Sequence, residues 1–214
     1  MIYDITPPIT PRLAVWPGDT PMSREILCDI DGPGSDNITL STLRATVHLG
    51  AHADGPNHYA STKDGASGIG ERRLEHYIGP CRVIEARVGR NTRMALVDVV
   101  GGPSQFDQPR ILFKTNNYPD PDRFNEDFAA LSVELIDALA TRNVITVGID
   151  TPSVDLFSSK DLPAHKAIFR HDMAILEGLV LRDVPSGVYE LIALPLKLMG
   201  FDASPVRAVL RTLQ

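Results

Sequence analysis

Between positions 48 and 58 the chain reads His-Leu-Gly-Ala-His-Ala-Asp-Gly-Pro-Asn-His, and no other stretch constrains its fold and chemistry as tightly. Packing alone has little use for three imidazoles and a carboxylate in so short a run. Gly55-Pro56 breaks a helix, and a helix would also swing Asp54 and His58 away from His48 and His52. On an extended chain all four side chains lie an even number of positions apart and project to one side. The run predicts a strand entering a turn with its polar atoms converging, provided that Gly50 does not sit in a bulge.

Length and charge narrow the class. A chain of 214 residues, 43% hydrophobic, suits one ordinary domain with a large core, so a single domain over 1–214 is expected. No apolar run approaches the roughly eighteen residues of a membrane span, and Met1-Ile-Tyr-Asp does not resemble the start of a secretory leader. A cytoplasmic protein with no membrane partner is the expectation. A net charge of -6 without a basic cluster argues against nucleic acid and for a small-molecule substrate. Cys28 and Cys81 are too few for a disulfide framework or a cysteine-rich zinc site. Any metal must be held by histidine and carboxylate.

The rest of the chain reads as mixed α/β. The density of proline and glycine from Pro7 to Pro21 predicts an irregular loop, with Trp16 either packing on the fold or forming a flat pocket wall. A polar turn over Asp29 to Asn37 precedes a strand over Thr39 to Leu49, which would carry the histidine motif at the end of a sheet. Further strands are expected over 79–88, 110–114, 144–149, 173–181, 188–194 and 205–213. Short helices are expected over 71–77, 94–100 and 162–169. The clearest helix runs from Ser132 to Arg142, with Ser132 as N-cap, Val133, Ile136, Leu139 and Ala140 as its apolar stripe, and Asn143 as its stop. His76, among charges, reads as solvated, and His171 as a cap on the preceding helix.

Glu177 is the second informative residue. The sequence Ala-Ile-Leu-Glu-Gly-Leu-Val-Leu buries a carboxylate among aliphatic side chains unless that glutamate lies on a solvated face, and an unpaired buried charge costs several kcal/mol. A metal would compensate it. His48, His52 and Asp54 could ligate a first divalent ion, with Asp54 and Glu177 bridging to a second completed by His165. Such a centre would polarise a carbonyl and activate water near neutral pH. The alternative is a hydrogen-bonded surface cluster without metal. His58, beyond Pro56, is the hardest to place as a ligand and the best candidate for a general acid/base.

These residues resemble a known family. His48 to His58 is similar to the H-x-G-T-H-x-D-x-P-x-H signature of the cyclase-like metal-dependent hydrolases, with Ala51 in place of the threonine. The likeness extends through Trp16-Pro-Gly-Asp-Thr-Pro21, Gly79 to Ile84, Ile149 to Asp155, Leu162 to His165, Ala174 to Glu177 and Ala203 to Val209. The Trp16 loop and the Asp150 to Asp155 segment are most similar to the kynurenine formamidase branch. The resemblance implies a swivelling β/β/α fold, usually a homodimer, with two divalent ions, zinc or alternatively manganese. It implies that His48, His52 and Asp54 bind one ion and Asp54, His165 and Glu177 the other. His58 would be the proton carrier, Trp16 a wall of the substrate pocket, and the reaction hydrolysis of N-formyl-L-kynurenine or, as the alternative, of another small amide or ester or of a cyclic amide. A metal-binding protein without turnover remains the rival of a different class.

Overall fold

The computed structural model describes residues 1–33 and 37–213, so the turn expected over Asp29 to Asn37 lies partly outside them. In chain order the first strands are β1 (Ile2–Asp4), β2 (Ser23–Cys28), β3 (Leu40–Arg44), β4 (His52–Asp54), β5 (Ile78–Glu85) and β6 (Arg93–Met94). They continue with β7 (Arg110–Lys114), β8 (Ala130–Leu131), β9 (Thr146–Ile149), β10 (Ala174–Glu177), β11 (Gly187–Ile192), β12 (Ala203–Pro205) and β13 (Val209–Thr212). Two α-helices, α1 (Val133–Ala140) and α2 (Pro163–Arg170), flank β9 in sequence.

Nine strands form one sheet in the order β1-β13-β11-β5-β7-β9-β10-β4-β12. Its centre, β5-β7-β9-β10, is parallel, and both flanks are antiparallel. Side chains alternate across it as a pleated strand requires. On β7, Ile111 and Phe113 join the core with Leu135, Ile136 and Leu139 of α1 and Ala164 and Ile168 of α2, whereas Leu112 joins the opposite core with Leu176, Leu191 and Leu210.

Among the described residues, that second core takes no side chain from either α-helix. Only residues 206–208 separate β12, at one edge, from β13, next to the other edge. Such a link reaches roughly 14 Å, whereas seven strand spacings of a flat sheet amount to roughly 34 Å. The sheet therefore curls around the second core until its edges meet. Val206 N–H donates to the Ala51 carbonyl, and Ile5 N–H to that of Ala208. The result is a single mixed α/β domain.

Several expectations hold and others shift. Ser132 caps α1 by accepting from Leu135 N–H at 3.1 Å, and Asn143, with φ 58°, stops it. The buried stripe is Leu135, Ile136 and Leu139, so Leu135 takes the place given to Val133 and Ala140. His171 is the C-terminal cap of α2, as expected. The strand over Thr39 to Leu49 shrinks to β3, which pairs with β2 in a separate two-stranded ribbon. The motif thus enters the main sheet only at β4, between β10 and β12. Residues 205–213 divide into β12 and β13 on opposite flanks, and the helix over 94–100 is a 3₁₀ turn at Leu96–Asp98. The charged stretch 71–77 likewise forms 3₁₀ turns.

His76 is buried, not solvated. Its Nδ1 donates to the Ile145 carbonyl at 3.0 Å and its Nε2 faces Arg72 at 3.3 Å. The misreading arose because Arg73 and Glu75 point outward while the ring, together with Arg72, turns under β9. Burial, aided by the Arg72 charge, lowers its pKa. The unfolded chain then binds this proton more readily, so the stability due to neutral His76 is intact above about pH 6.5 and fades as pH falls below it. Urea unfolding between pH 7.5 and 5 is expected to show an acid slope that shrinks by up to about one proton in His76→Gln.

Candidate metal centre

The centre lies on the helix-facing side of the sheet, where β4 meets β10. Glu177 pairs with His52 across the two strands, and Ile175 with Asp54, so register sets His52, Asp54 and Glu177 on one face. The expected parity across the whole motif fails at Gly50, whose φ of 59° bends the chain ahead of β4. It holds for His52 and Asp54, while His48 arrives from that bend and His58 from the 3₁₀ turn Pro56–His58. α2, crossing from β9 to β10, places His165 over the same face, more than a hundred residues away in sequence.

The donor atoms are spaced like ligands. His48 Nδ1 lies 3.2 Å and His52 Nε2 3.5 Å from Asp54 Oδ1, with His52 Nε2 also 3.3 Å from Glu177 Oε2. On the other side His165 Nε2 is 3.6 Å from Asp54 Oδ2 and 3.7 Å from Glu177 Oε1. Two atoms held about 2.0–2.2 Å from one tetrahedral ion lie roughly 3.3–3.6 Å apart. Both Asp54 oxygens are buried and neither has a hydrogen-bond partner. An orphaned carboxylate ringed by three imidazole nitrogens fits a divalent cation better than it fits a finished hydrogen-bond network. Donor atoms lie within 4.8 Å of one another in His52, Asp54 and Glu177 and in His48, Asp54 and His58, so the structure gathers the expected ligands around Asp54 but groups them differently from the expected sets of His48, His52 and Asp54 and of Asp54, His165 and Glu177.

Each of these imidazoles is held from behind. His52 Nδ1–H donates to the Gly50 carbonyl at 2.9 Å, His48 Nε2–H to Asp202 Oδ2 at 3.0 Å, and His165 Nδ1–H to Asp155 Oδ2 at 2.8 Å. Such partners fix the tautomer and aim the remaining nitrogen at the ion. Asp155 does more: its carboxylate accepts the backbone N–H of Ala164 and His165 at the start of α2 and pairs with Arg93 at 2.5 Å. Asp155 and Asp202, which hold two of the candidate ligands from behind, were not singled out by the motif reading. Asp155 was legible in part, as an acid in the loop after a buried strand; Asp202, a lone acid in a mostly exposed segment, carries no local signal.

Electrostatics follow the same layout. Burial disfavours the imidazolium of His48, but Asp54 and Asp202 outweigh it and raise His48 to about 9. His165 is likewise raised, against burial, to about 10 by Asp155, Asp54 and Glu177. Burial pushes the Asp54 carboxyl up, yet His165, His48 and His52 hold it well below the usual range. The cluster is a buried anionic hole that takes up positive charge.

Glycine is required at its back. Gly178 follows Glu177 with φ 65°, and a Cβ there would lie 2.2 Å from the Gly50 oxygen that holds His52. Gly65, with φ 85°, has open space. Gly178→Ala is expected to lower unfolding free energy by about 3 kcal/mol or more and to loosen the site, whereas Gly65→Ala shows only its backbone cost of roughly 1 kcal/mol. Denaturant titration of both variants reads the difference.

His58 is 36% exposed in its side chain, with Nδ1 3.5 Å from Asp202 Oδ2. It also brings a donor atom within 4.8 Å of His48 and Asp54, so it stands near enough to compete as a ligand. A cavity of about 540 Å³ is lined by His48, His58, His165 and Glu177 and also by Trp16, Tyr118 and Phe124. Trp16 both packs and lines. Its ring centroid lies 5.0 Å from that of Phe157 and 5.5 Å from that of Phe124, and 37% of it stays exposed.

Comparison with known proteins agrees with this geometry. A structure described as a "Potential Metal-Dependent Hydrolase With Cyclase Activity" superposes with a TM-score of 0.82 at 29% identity, covering 98% of this chain and 96% of the other. A "predicted metal-dependent hydrolase" from Bacillus stearothermophilus gives 0.77 at 28% identity, over 98% and 97%. Isatin hydrolase A from Labrenzia aggregata gives 0.83 at 24% identity, over 100% and 94%, a likeness of fold. The family model described as Cyclase ("Putative cyclase") matches residues 3–156, which include the whole histidine motif. By fold and by this match, the chain belongs to the Cyclase family.

Proposed function

We propose that the chain is a metal-dependent amide hydrolase whose substrate is N-formyl-L-kynurenine, cleaved to L-kynurenine and formate. The observation that supports it best is a single cavity lined both by His48, His52, His165 and Glu177, the residues around the orphaned Asp54, and by the aromatic rings of Trp16, Tyr118 and Phe124. An aryl amide joins its reacting carbonyl to a flat ring, which suits a cavity that offers both imidazoles and aromatic walls. The hydrolase names of the structural relatives point the same way.

His48, His52, Asp54, His165 and Glu177 would hold two divalent ions, zinc in the first instance and manganese as the alternative, since imidazole and carboxylate suit both. Bound there, the ions supply Lewis acidity and a water acidic enough to lose a proton near neutral pH. His58 takes up that proton and returns it to the amide nitrogen as the carbon–nitrogen bond breaks, so that the aryl amine leaves neutral. Trp16, Tyr118 and Phe124 flank the ring and exclude water from the reacting carbonyl. A homodimer belongs to the same reading. The ribbon of β2 and β3 leaves Ile26, Leu40 and Leu43 exposed, and covering them would suit a second copy.

The test is a substrate panel with metal analysis on one preparation: N-formyl-L-kynurenine, a formanilide, and isatin as a cyclic amide. Turnover of N-formyl-L-kynurenine with bound metal supports the reading. Ring-opening of isatin alone would leave amide hydrolysis and remove the formamidase, and metal without any turnover would leave a binding protein. Light scattering checks the dimer.

A further inference from the structure

We propose that Asp202 is a positioning residue shared by two histidines of different duty, fixing the ring of the metal ligand His48 and the ring of the proton carrier His58 at once. The inference rests on the roles given to those histidines above and goes beyond them. It begins with one oxygen. Asp202 Oδ2 lies 3.0 Å from His48 Nε2 and 3.5 Å from His58 Nδ1, and the two rings stand 4.2 Å apart between centroids.

A carboxylate can only accept, so His48 Nε2, hydrogen-bonded at 3.0 Å, carries a hydrogen, and the same oxygen, within ion-pair reach of His58 Nδ1 at 3.5 Å, favours a hydrogen there as well. For His48 that leaves Nδ1 to face Asp54, the orientation a ligand needs. For His58 it leaves Nε2 with a lone pair, on a ring that lines the cavity. His58 can then accept a proton from water at Nε2, becoming an imidazolium whose Nδ1–H still points at Asp202. It later releases that proton to the departing amide nitrogen. One proton is taken and one returned, and Asp202 stays ionised throughout.

Backbone contacts hold Asp202 where this works. Asp202 precedes β12, and the register pairs the next residue, Ala203, with Asp54. Gly55 N–H donates to the Asp202 carbonyl at 2.7 Å, Ile69 N–H to that of Phe201 at 2.8 Å, and the Asn57 amide to that of Gly200 at 3.3 Å. The segment 200–202 is laced to the turn that carries His58. With 46% of its side chain exposed, Asp202 acts in contact with water. Its influence is therefore on orientation more than on field strength.

The experiment compares Asp202→Ala, Asp202→Asn and Asp202→Glu with the parent in the full-length, metal-loaded protein. Three readouts are kinetics on the N-formyl amide, zinc retention against a competing chelator, and ¹⁵N shifts of the His48 and His58 rings. Asp202→Ala is expected to lower kcat about 10- to 100-fold with KM little changed, and to weaken zinc retention about 10-fold. Its ¹⁵N spectra should show both rings losing their single tautomer. Asp202→Asn should keep one ring fixed, because its amide oxygen can still accept, and Asp202→Glu should recover part of kcat. Unchanged zinc retention with both tautomers intact overturns the proposal. So does a loss confined to thermal stability, or one in which KM rises and kcat holds. Zinc retention and ring shifts need no substrate. A parent that binds zinc but leaves N-formyl amides intact therefore removes the formamidase reading and leaves this one decidable.

Discussion

Asp54→Asn is expected to empty the centre of metal and to lower turnover by roughly a thousandfold or more. Asparagine keeps the volume and removes the charge that three imidazoles face. Breaking a buried ionic group by deleting one partner costs about 3–5 kcal/mol, on the order of 10²–10³·⁵ in affinity. Asp54 turns Oδ1 toward His48 and His52 and Oδ2 toward His165, so one substitution weakens both positions. Metal content after dialysis, with turnover on the same sample and circular dichroism to confirm folding, checks this. A variant that keeps the parent's metal and activity would show that Asp54 is an ordinary buried acid.

His58→Ala divides the site differently. It is expected to leave metal content at the parent level while kcat falls by about 10²–10⁴, the usual weight of a positioned acid/base. Because His58 also lies within ligand reach of His48 and Asp54, the metal measurement is the decisive half. Loss of one ion with His58 would make it a ligand, and undiminished turnover would remove it from the chemistry. The contrast with Asp54→Asn is the signature: one variant loses metal and turnover together, the other turnover alone.

The histidine motif was legible because its information is local. Residue type and spacing over eleven positions define the donor chemistry, and Gly55-Pro56 defines where the extended chain must turn. The helix over 133–140 was legible for the same reason, through its N-cap and apolar period. Where local evidence misled, a distant packing choice had overridden it. His76 sits among charged neighbours yet turns inward beneath β9, and residues 205–213 look like one strand yet divide between opposite flanks of the curled sheet. The strand preference of Leu40 to Arg44 is real, but it is satisfied by β2, away from the main sheet.

By itself the sequence determined the ligand types, the incomplete half-site at His48, His52 and Asp54, and a buried Glu177 in need of a partner. His165 and Glu177 were already named from the sequence as its completion, but only the tertiary structure brings them to the half-site and adds the groups behind them. Cross-strand register brings Glu177 opposite His52, the β9–α2–β10 crossover lowers His165onto the same face, and Asp155 and Asp202 reach the backs of two imidazoles from loops with no motif of their own. The physical reason is range. Periodicity and turn chemistry act over a few residues, whereas these pairings follow from burying two apolar faces and closing a nine-stranded sheet on itself.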